Sequence, residues 1–104
     1  MKIVLQERTK TILKAGIRGF INTGEPITSE RLSRDYDFGI KSAMIRWELH
    51  DLGSYGYLYQ SHASSGRFPS DKAYHFFVSC ILEDLAEEPE SKSKLSGKIS
   101  ELLE

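Results

Sequence analysis

The segment of residues 39–52 constrains the fold of this chain more than any other, because it reads as a helix with two unlike faces. At about 100° per residue, one apolar stripe about 60° wide suits a protein core, and the opposite side is polar and aromatic. The stripe consists of Ile45, Leu49 and Leu52, and the opposite side of Ala43, Arg46, Trp47 and His50. Such a helix is suited to binding another molecule, and we expect it to enter the major groove of DNA.

The length and composition indicate one soluble domain. The chain has 104 residues, of which 39% are hydrophobic and 11% aromatic, enough for one small core. No apolar run approaches the roughly 18 residues of a membrane span, and the apolar stretch at the start is too short for a signal peptide. Cys80 is the single cysteine, which suits a reducing compartment. We therefore expect a cytoplasmic protein with no membrane attachment.

The charge is unevenly distributed along the chain. The net charge is −1, but residues 1–82 hold 11 Lys and Arg against 8 Asp and Glu, a balance of +3. Residues 83–104 hold 3 against 7, a balance of −4. The part with the candidate helix is therefore mildly basic, which is compatible with nucleic-acid binding but common among other cytoplasmic domains.

Two helices are predicted before residue 39. Apolar residues at helical spacing predict the first over about 6–22, and Gly24 is available as its left-handed cap. Thr28 or Ser29 caps a short second helix that runs to about Tyr36. The residues expected to pack inward here are Ile27, Leu32 and Tyr36. Gly16 and Gly19 are expected to allow a close helix crossing, although Gly19 could merely be tolerated at the surface. Two helices joined by a tight glycine-containing turn form a helix-turn-helix pattern.

A β-hairpin and more helix follow the central segment. Residues 53–56 read as a helix stop, 57–60 as a strand, 61–66 as a small polar tip and 67–69 as the returning strand. Three helices followed by a hairpin predict a mostly α winged helix-turn-helix, with the wing at residues 59–69. Ser70 then caps another helix. Its apolar positions are Tyr74, Phe77, Val78, Ile81, Leu82 and Leu85, with Cys80 near them as a small packed residue.

The predicted domain boundary lies near residue 86. We expect residues 1–86 to form the winged helix-turn-helix and residues 87–104 an acidic tail. Ser91 could cap a last helix in that tail, with an apolar seam at Leu95, Ile99 and Leu102. This seam is too short to predict a coiled coil.

Three motifs in register give the chain a family resemblance over about residues 5–82. NTGEPITSERL at residues 22–32 is similar to an entry into helix two of the form TGEPVGS…L. SAMIR at 42–46 is similar to ATIR in a recognition helix, and is followed by Leu52 and GYL at 56–58. HASSGRFPSDKAY at 62–74 is similar to the wing motif HTSAGRVPT..GY. The chain thus resembles the N-terminal DNA-binding domain of the HrcA family, the bacterial heat-inducible transcription repressors.

The resemblance implies a dimeric repressor that binds an inverted-repeat operator upstream of chaperone genes. It also implies a missing effector domain or a chaperonin as further partners, and association with the nucleoid when bound. The substitutions relative to the family cluster on the reading helix. Lys41 stands where the family has a capping Ser, Met44 where it has Thr, and Trp47 where it has Asn. We therefore expect an operator sequence that differs from the family's.

The predicted DNA contacts come from the reading helix, the start of the second helix and the wing. They are Thr28, Ser29, Lys41, Ser42, Ala43, Met44, Arg46, Trp47, His50, Ser64, Ser65 and Arg67. Arg46 suits a bidentate bond to guanine or a phosphate clamp, although it could be a solvated helix arginine. Lys41 at a helix N-terminus opposes the helix dipole unless a phosphate sits there, and could equally be a free loop lysine. His50 could approach a phosphate or have no role.

Alternatives remain open for the other contacts. Trp47 could press on thymine methyls, fold back over Ala43, or pack against a neighbouring subunit. Thr28 and Ser29 are first of all helix caps, but they could also donate to phosphate. Ser64, Ser65 and Arg67 would hold the backbone or enter the minor groove. The expected role of Gly66 is structural, because it gives the hairpin its turn.

Enzyme chemistry finds little support in the sequence. His50, His62, His75 and Cys80 lack zinc-ligand spacing, so we expect no metal and no cofactor. There is no glycine-rich phosphate loop and no nucleophile-elbow motif. The Asp and Glu residues read as solvated helix faces. The competing hypothesis is a winged helix used as a protein–protein interaction module, with Trp47 and the tail seam as its contact surface.

Overall fold

The computed structural model describes residues 4–60 and 66–86 of the chain. The elements in order are α1 (Glu7–Thr23), α2 (Ser29–Asp35), α3 (Ser42–Ser54), β1 (Leu58–Tyr59), β2 (Phe68–Pro69) and α4 (Asp71–Ala86). This is the winged helix-turn-helix predicted from the sequence. The chain divides after Tyr74, within α4, into two compact units, Met1–Tyr74 and His75–Glu104.

The core of the first unit lies between its three helices. Its most deeply buried side chains project from α1 and α3, because these helices present apolar residues at intervals of three and four. These side chains are Ile12, Leu13, Ile17, Ile45, Leu49 and Leu52. The apolar stripe predicted for residues 45–52 is therefore confirmed. Ile27 and Leu32 are also buried as predicted, but Tyr36 is 37% exposed and stacks on Phe38, so the prediction that it packs inward is wrong.

Local capping sets the ends of the first two helices. Gly24 adopts the predicted left-handed conformation, and its N–H donates to the carbonyl of Phe20 at the end of α1. Thr28, rather than Ser29, caps α2, since its hydroxyl accepts from the N–H of Arg31 at 3.1 Å.

Gly16 allows a close approach, although not the predicted helix crossing. A Cβ atom at this position would lie 3.1 Å from Ile27, a residue of the turn before α2. A Cβ at Gly19 would meet nothing within 4 Å, so this glycine is merely tolerated.

The wing is shorter than predicted and is joined to a third segment. β1 and β2 pair antiparallel, with Leu58 opposite Pro69 and Tyr59 opposite Phe68. Arg67 then forms a bridge with Ile27, in which each N–H donates to the other residue's carbonyl, at 3.0 and 2.8 Å. The wing is thereby fixed to the turn that starts the helix-turn-helix. The predicted tip, with Ser64 and Ser65, lies in residues 61–65, outside the described ranges.

The start of α4 is tied to the end of α3. The hydroxyl of Ser70 accepts from the N–H of Ala73, as predicted for a cap, and donates to the carbonyl of Gly56 at 2.6 Å. Lys72 donates to the carbonyl of Tyr55 at 2.8 Å and lies 4.5 Å from the centre of the Tyr57 ring. Burial and the neighbouring Tyr59 raise the pKa of Tyr74.

The later part of α4 belongs to the second unit and is only partly covered. Val78 and Leu82 of the predicted apolar face are each 52% exposed, and Cys80 is half-buried. The predicted last helix and its seam lie in residues 87–104, outside the described ranges. No helix in the described parts is long and apolar enough to cross a membrane.

Candidate nucleic-acid interface

The predicted reading face of α3 is open to solvent. Trp47 is 65% and Met44 42% exposed, and Ala43, Arg46 and His50 are exposed as well. The rings of Trp47 and His50 meet edge to face, with their centres 6.1 Å apart. The exposed indole of Trp47, next to Arg46 and the small side chain of Ala43, forms a surface that can contact base edges and sugars.

A groove runs along one edge of this face, between α3, the start of α2 and the wing. It is open to solvent. It is lined by Ile27, Thr28, Ser29, Glu30, Arg46, Leu49, Gln60, Gly66 and Arg67. The fold therefore brings four predicted site residues from three separate segments to one place.

Close packing holds the wing beside α3. Gly66 has φ of +130°, which disfavours residues with a side chain, and an added Cβ would lie 2.6 Å from that of Pro26. Gly66 therefore has the structural role expected of it. The Nε atom of Arg67 lies 3.6 Å from the position of a Cβ at Gly53, so the Arg67 side chain runs past the last turn of α3.

The cations of the interface are free to pair with a ligand. Among the described residues, no salt bridge includes Lys41, Arg46 or Arg67, whereas Arg34 pairs with Asp35 at 3.1 Å. Lys41 occupies the N-cap of α3 without a side-chain capping bond, directly before Ser42. Lys41, which has no salt-bridge partner among the described residues, lies next to the first N–H groups of α3, and together they favour an anion at the start of this helix.

The two residues at the start of α2 differ in what they can offer. Thr28 is half-buried, and its hydroxyl already accepts the capping bond. Ser29 is buried, so its side chain is less accessible than the sequence suggests. A phosphate at this position would therefore meet mainly the first backbone N–H groups of the helix and the Thr28 hydroxyl.

One functional candidate on α3 was missed by the sequence reading. Glu48 is only 8% exposed, and its carboxylate accepts from Thr9 at 2.6 Å and from Arg8 at 2.9 Å. The interpretation of all acidic residues as solvated is wrong here. The signal was its angular position, since at about 100° per residue Glu48 falls about 60° from Ile45, at the edge of the apolar stripe.

Comparison with known proteins identifies the family. No family model matches the chain. The heat-inducible transcription repressor HrcA of Caldanaerobacter subterraneus subsp. tengcongensis is 42% identical over 104 residues, which cover 95% of this chain and 30% of that protein. HrcA of Thermoanaerobacter sp. is 49% identical over 80 residues, covering 77% and 23%. The chain belongs to the HrcA family, as a counterpart of its N-terminal domain.

A solved structure agrees with the fold. A crystal structure of a hypothetical protein at 2.2 Å resolution matches 81% of this chain and 26% of that one, with a TM-score of 0.76 and 32% identity. The predicted family and fold are confirmed. HrcA proteins are named as transcription repressors, so the family is one of regulators rather than enzymes. The chain spans less than a third of the length of these HrcA relatives.

Proposed function

We propose that this chain binds double-stranded DNA in a sequence-specific manner and serves as the reading domain of an HrcA-type repressor. The observation that carries the proposal is the convergence of unpaired Arg46 and Arg67 with the start of α2 around one groove beside the exposed face of α3. We assign this role to residues 1–86 and treat residues 87–104 as an acidic tail. Action on chromosomal DNA would place the protein in the bacterial cytoplasm.

The dimensions of α3 suit the major groove. Its 13 residues span roughly 20 Å at about 1.5 Å per residue, and a B-DNA major groove about 12 Å wide admits a helix. Arg46 would bond guanine O6 and N7. Ala43 and Met44 would meet thymine methyls, and Trp47 would press on methyls or sugars.

Phosphates would be held around this reading face. Lys41 and the amides that begin at Ser42 would bind one phosphate, and His50 could approach another one turn on. Arg67, together with Ser64 and Ser65, would hold the backbone or enter the minor groove on the wing side. Thr28 and the start of α2 would complete the contact. These contacts fix the register of α3 but carry no sequence information themselves.

One short helix and one wing read few base pairs, so we propose that two copies bind an inverted repeat. Two-fold symmetry of the protein then matches the symmetry of the operator. In a longer repressor, an effector-sensing region or a chaperonin would control this step.

Selection from a random duplex library tests the function directly. An enriched inverted repeat is expected. Its affinity should fall steeply with salt, with a slope of about −0.9 per phosphate contacted. Lys41→Ala should make that slope less negative by about 1, because one phosphate contact is lost. Lys10→Ala, which removes an α1 lysine paired with Glu7, should leave the slope unchanged.

The competing function, protein–protein interaction through Trp47, makes the opposite prediction. Binding driven by an exposed ring is nearly insensitive to salt, because few counterions are released. No enriched sequence, together with salt-insensitive protein binding that Trp47→Ala abolishes, would replace the DNA-binding proposal.

A further inference from the structure

The buried carboxylate of Glu48 links the reading helix to the first turn of α1. It accepts from Thr9 Oγ1 at 2.6 Å and from Arg8 Nη2 at 2.9 Å, across 39 and 40 residues of sequence. Glu48 and Thr9 are both buried, whereas the Arg8 side chain is 44% exposed. A carboxylate at this depth is therefore held by one hydroxyl and one cation from a single element.

These bonds hold α3 at the edge of the helix that faces away from the wing. At about 100° per residue, Glu48 lies about 160° around the helix from Arg46. Arg46 borders the groove beside the wing, and Glu48 faces α1. The core stripe of α3 lies between these two edges.

The two kinds of contact constrain α3 differently. Apolar packing of Ile45, Leu49 and Leu52 is non-directional, so it resists removal of the helix from the core more than small rotations about its axis. Bonds to a carboxylate are short and directional, and they lose strength quickly when their angles change. The Glu48 bonds are thus the contacts best placed to oppose rotation of α3.

We propose that Glu48 is a positioning residue that sets the rotation of α3, and through it the sequence discrimination of the reading face. This inference rests on the proposed DNA-binding function. Base contacts need side chains held to within about 0.5 Å and 10–20° of their productive geometry. Phosphate contacts carry no sequence information and can adjust to a small rotation. Loss of the Glu48 bonds therefore impairs specific binding more than non-specific binding.

A purely stabilising role makes a different prediction. Removing one partner of a buried ion pair destabilises a fold, and a variant that merely loosens the fold lowers specific and non-specific affinity together. The discriminating quantity is the ratio of the dissociation constants for a scrambled and a selected duplex. It is measured at fixed salt and at a temperature where circular dichroism shows every variant folded.

The test uses two variants that remove charge-assisted bonds of Glu48 and two matched controls. Glu48→Gln keeps the shape of the side chain but replaces the charge-assisted bonds with weaker neutral ones, and Thr9→Val removes the 2.6 Å bond without changing any charge. Asp51→Asn removes an exposed acid from the same helix, and Ile17→Val weakens the core from α1. We expect the ratio to fall about tenfold in both bond-breaking variants and to stay within twofold in both controls.

A result other than the expected one overturns the inference, and failure of one variant to fold leaves the decision to the other. An unchanged ratio in Glu48→Gln and Thr9→Val would leave Glu48 with a structural role only. A fall in Glu48→Gln alone would reveal an effect of charge rather than of position. If Glu48→Gln fails to fold, Thr9→Val decides. If the unaltered chain shows no sequence preference, both the proposed function and this inference fail. If the unaltered chain shows a preference and the variants keep it, only this inference fails.

Discussion

Three consecutive residues of α3 have three different environments. Arg46 borders the groove, Trp47 projects into solvent, and Glu48 is bonded to α1. The rotation of about 100° per residue is the cause, because two steps place Glu48 about 160° around the helix from Arg46, with Trp47 between them. The same turn therefore carries a candidate base contact, an exposed ring and the bonds that hold the helix in place.

At this scale, Arg46→Ala should cost about 1–3 kcal/mol of binding free energy on the selected operator and relax the preference at one base pair. The reason is the loss of a bidentate bond that no other described side chain on this edge of α3 replaces. Fluorescence anisotropy on duplexes with each base at that position measures both effects.

Arg34→Ala is the matched control for this prediction. It removes an exposed arginine of α2 that lies outside the groove and pairs with Asp35. Its affinity and base preference should match those of the unaltered chain. Unchanged affinity and preference in Arg46→Ala would count against the assignment of Arg46 as a base contact.

At the scale of elements, α3 passes through a residue expected to stop it. The sequence predicts an end at Leu52, but the helix continues through Gly53 and ends at Ser54, with Tyr55 as its C-cap. Gly56 provides the actual turn, with φ of +86°. Gly53 and Gly56 are both candidate helix stops in the sequence, and only the backbone conformation shows that Gly56 is the one used.

This difference predicts opposite effects of two alanine substitutions. Gly53→Ala should stabilise the fold by up to about 1 kcal/mol, since alanine favours helix and its Cβ would make only ordinary contacts, at 3.6 Å and beyond. Gly56→Ala should destabilise it by about 1–2 kcal/mol, because the left-handed conformation disfavours a side chain. Denaturant unfolding of the two variants gives both signs, and equal signs would contradict this account of the helix end.

The wing is another element that local patterns describe only in part. Its aromatic residues predicted two strands, and both are present, but each is two residues long. The bridge from Arg67 to Ile27 extends the hairpin with a segment 40 residues earlier. Two such short strands are marginal alone, so this bridge and the packing of Gly66 on Pro26 hold the wing in place.

At the scale of the whole molecule, the proposed binding of two copies to an inverted repeat makes a prediction about stoichiometry. The prediction is two chains on one selected inverted-repeat duplex, and one chain, bound more weakly, on a duplex with a single half-site. The half-sites should lie about 10–10.5 base pairs apart, or a multiple of that, if both reading helices use the same face. Sedimentation of the complexes gives the stoichiometry.

The acidic tail provides the accompanying comparison. Residues 83–104 have a charge balance of −4, against +3 for residues 1–82, and the predicted apolar seam lies among them. Deleting residues 88–104 and measuring mass in solution tests whether this tail forms the dimer. One chain on the full inverted repeat, at full affinity, would contradict the two-copy proposal.

Much of the fold could be predicted because its signals are local. Helical spacing located α1, α3 and α4, Thr28 and Gly24 marked helix ends, and Ser70 marked the start of α4. The exposed face of α3 followed from the same periodicity. These features depend on residues within one or two turns, where the backbone geometry is fixed.

The environment of single polar and aromatic side chains was less predictable. Tyr36 was expected inside and lies outside, because its ring stacks on Phe38 rather than entering the core. Glu48 was expected outside and lies inside, because Arg8 and Thr9 compensate its burial. In both cases the deciding partner cannot be identified from helical spacing, which describes one element at a time.

The sequence by itself determined that a helix lies within residues 39–52, with an apolar stripe opposite Ala43, Arg46 and Trp47, and it identified the HrcA family. Only the tertiary structure decided that Arg46 and Arg67 line one groove and that Glu48 joins α3 to α1. The physical reason is the range of the interactions. Helical periodicity acts over a few residues, whereas a groove and a buried carboxylate depend on segments brought together from 20 to 40 residues apart.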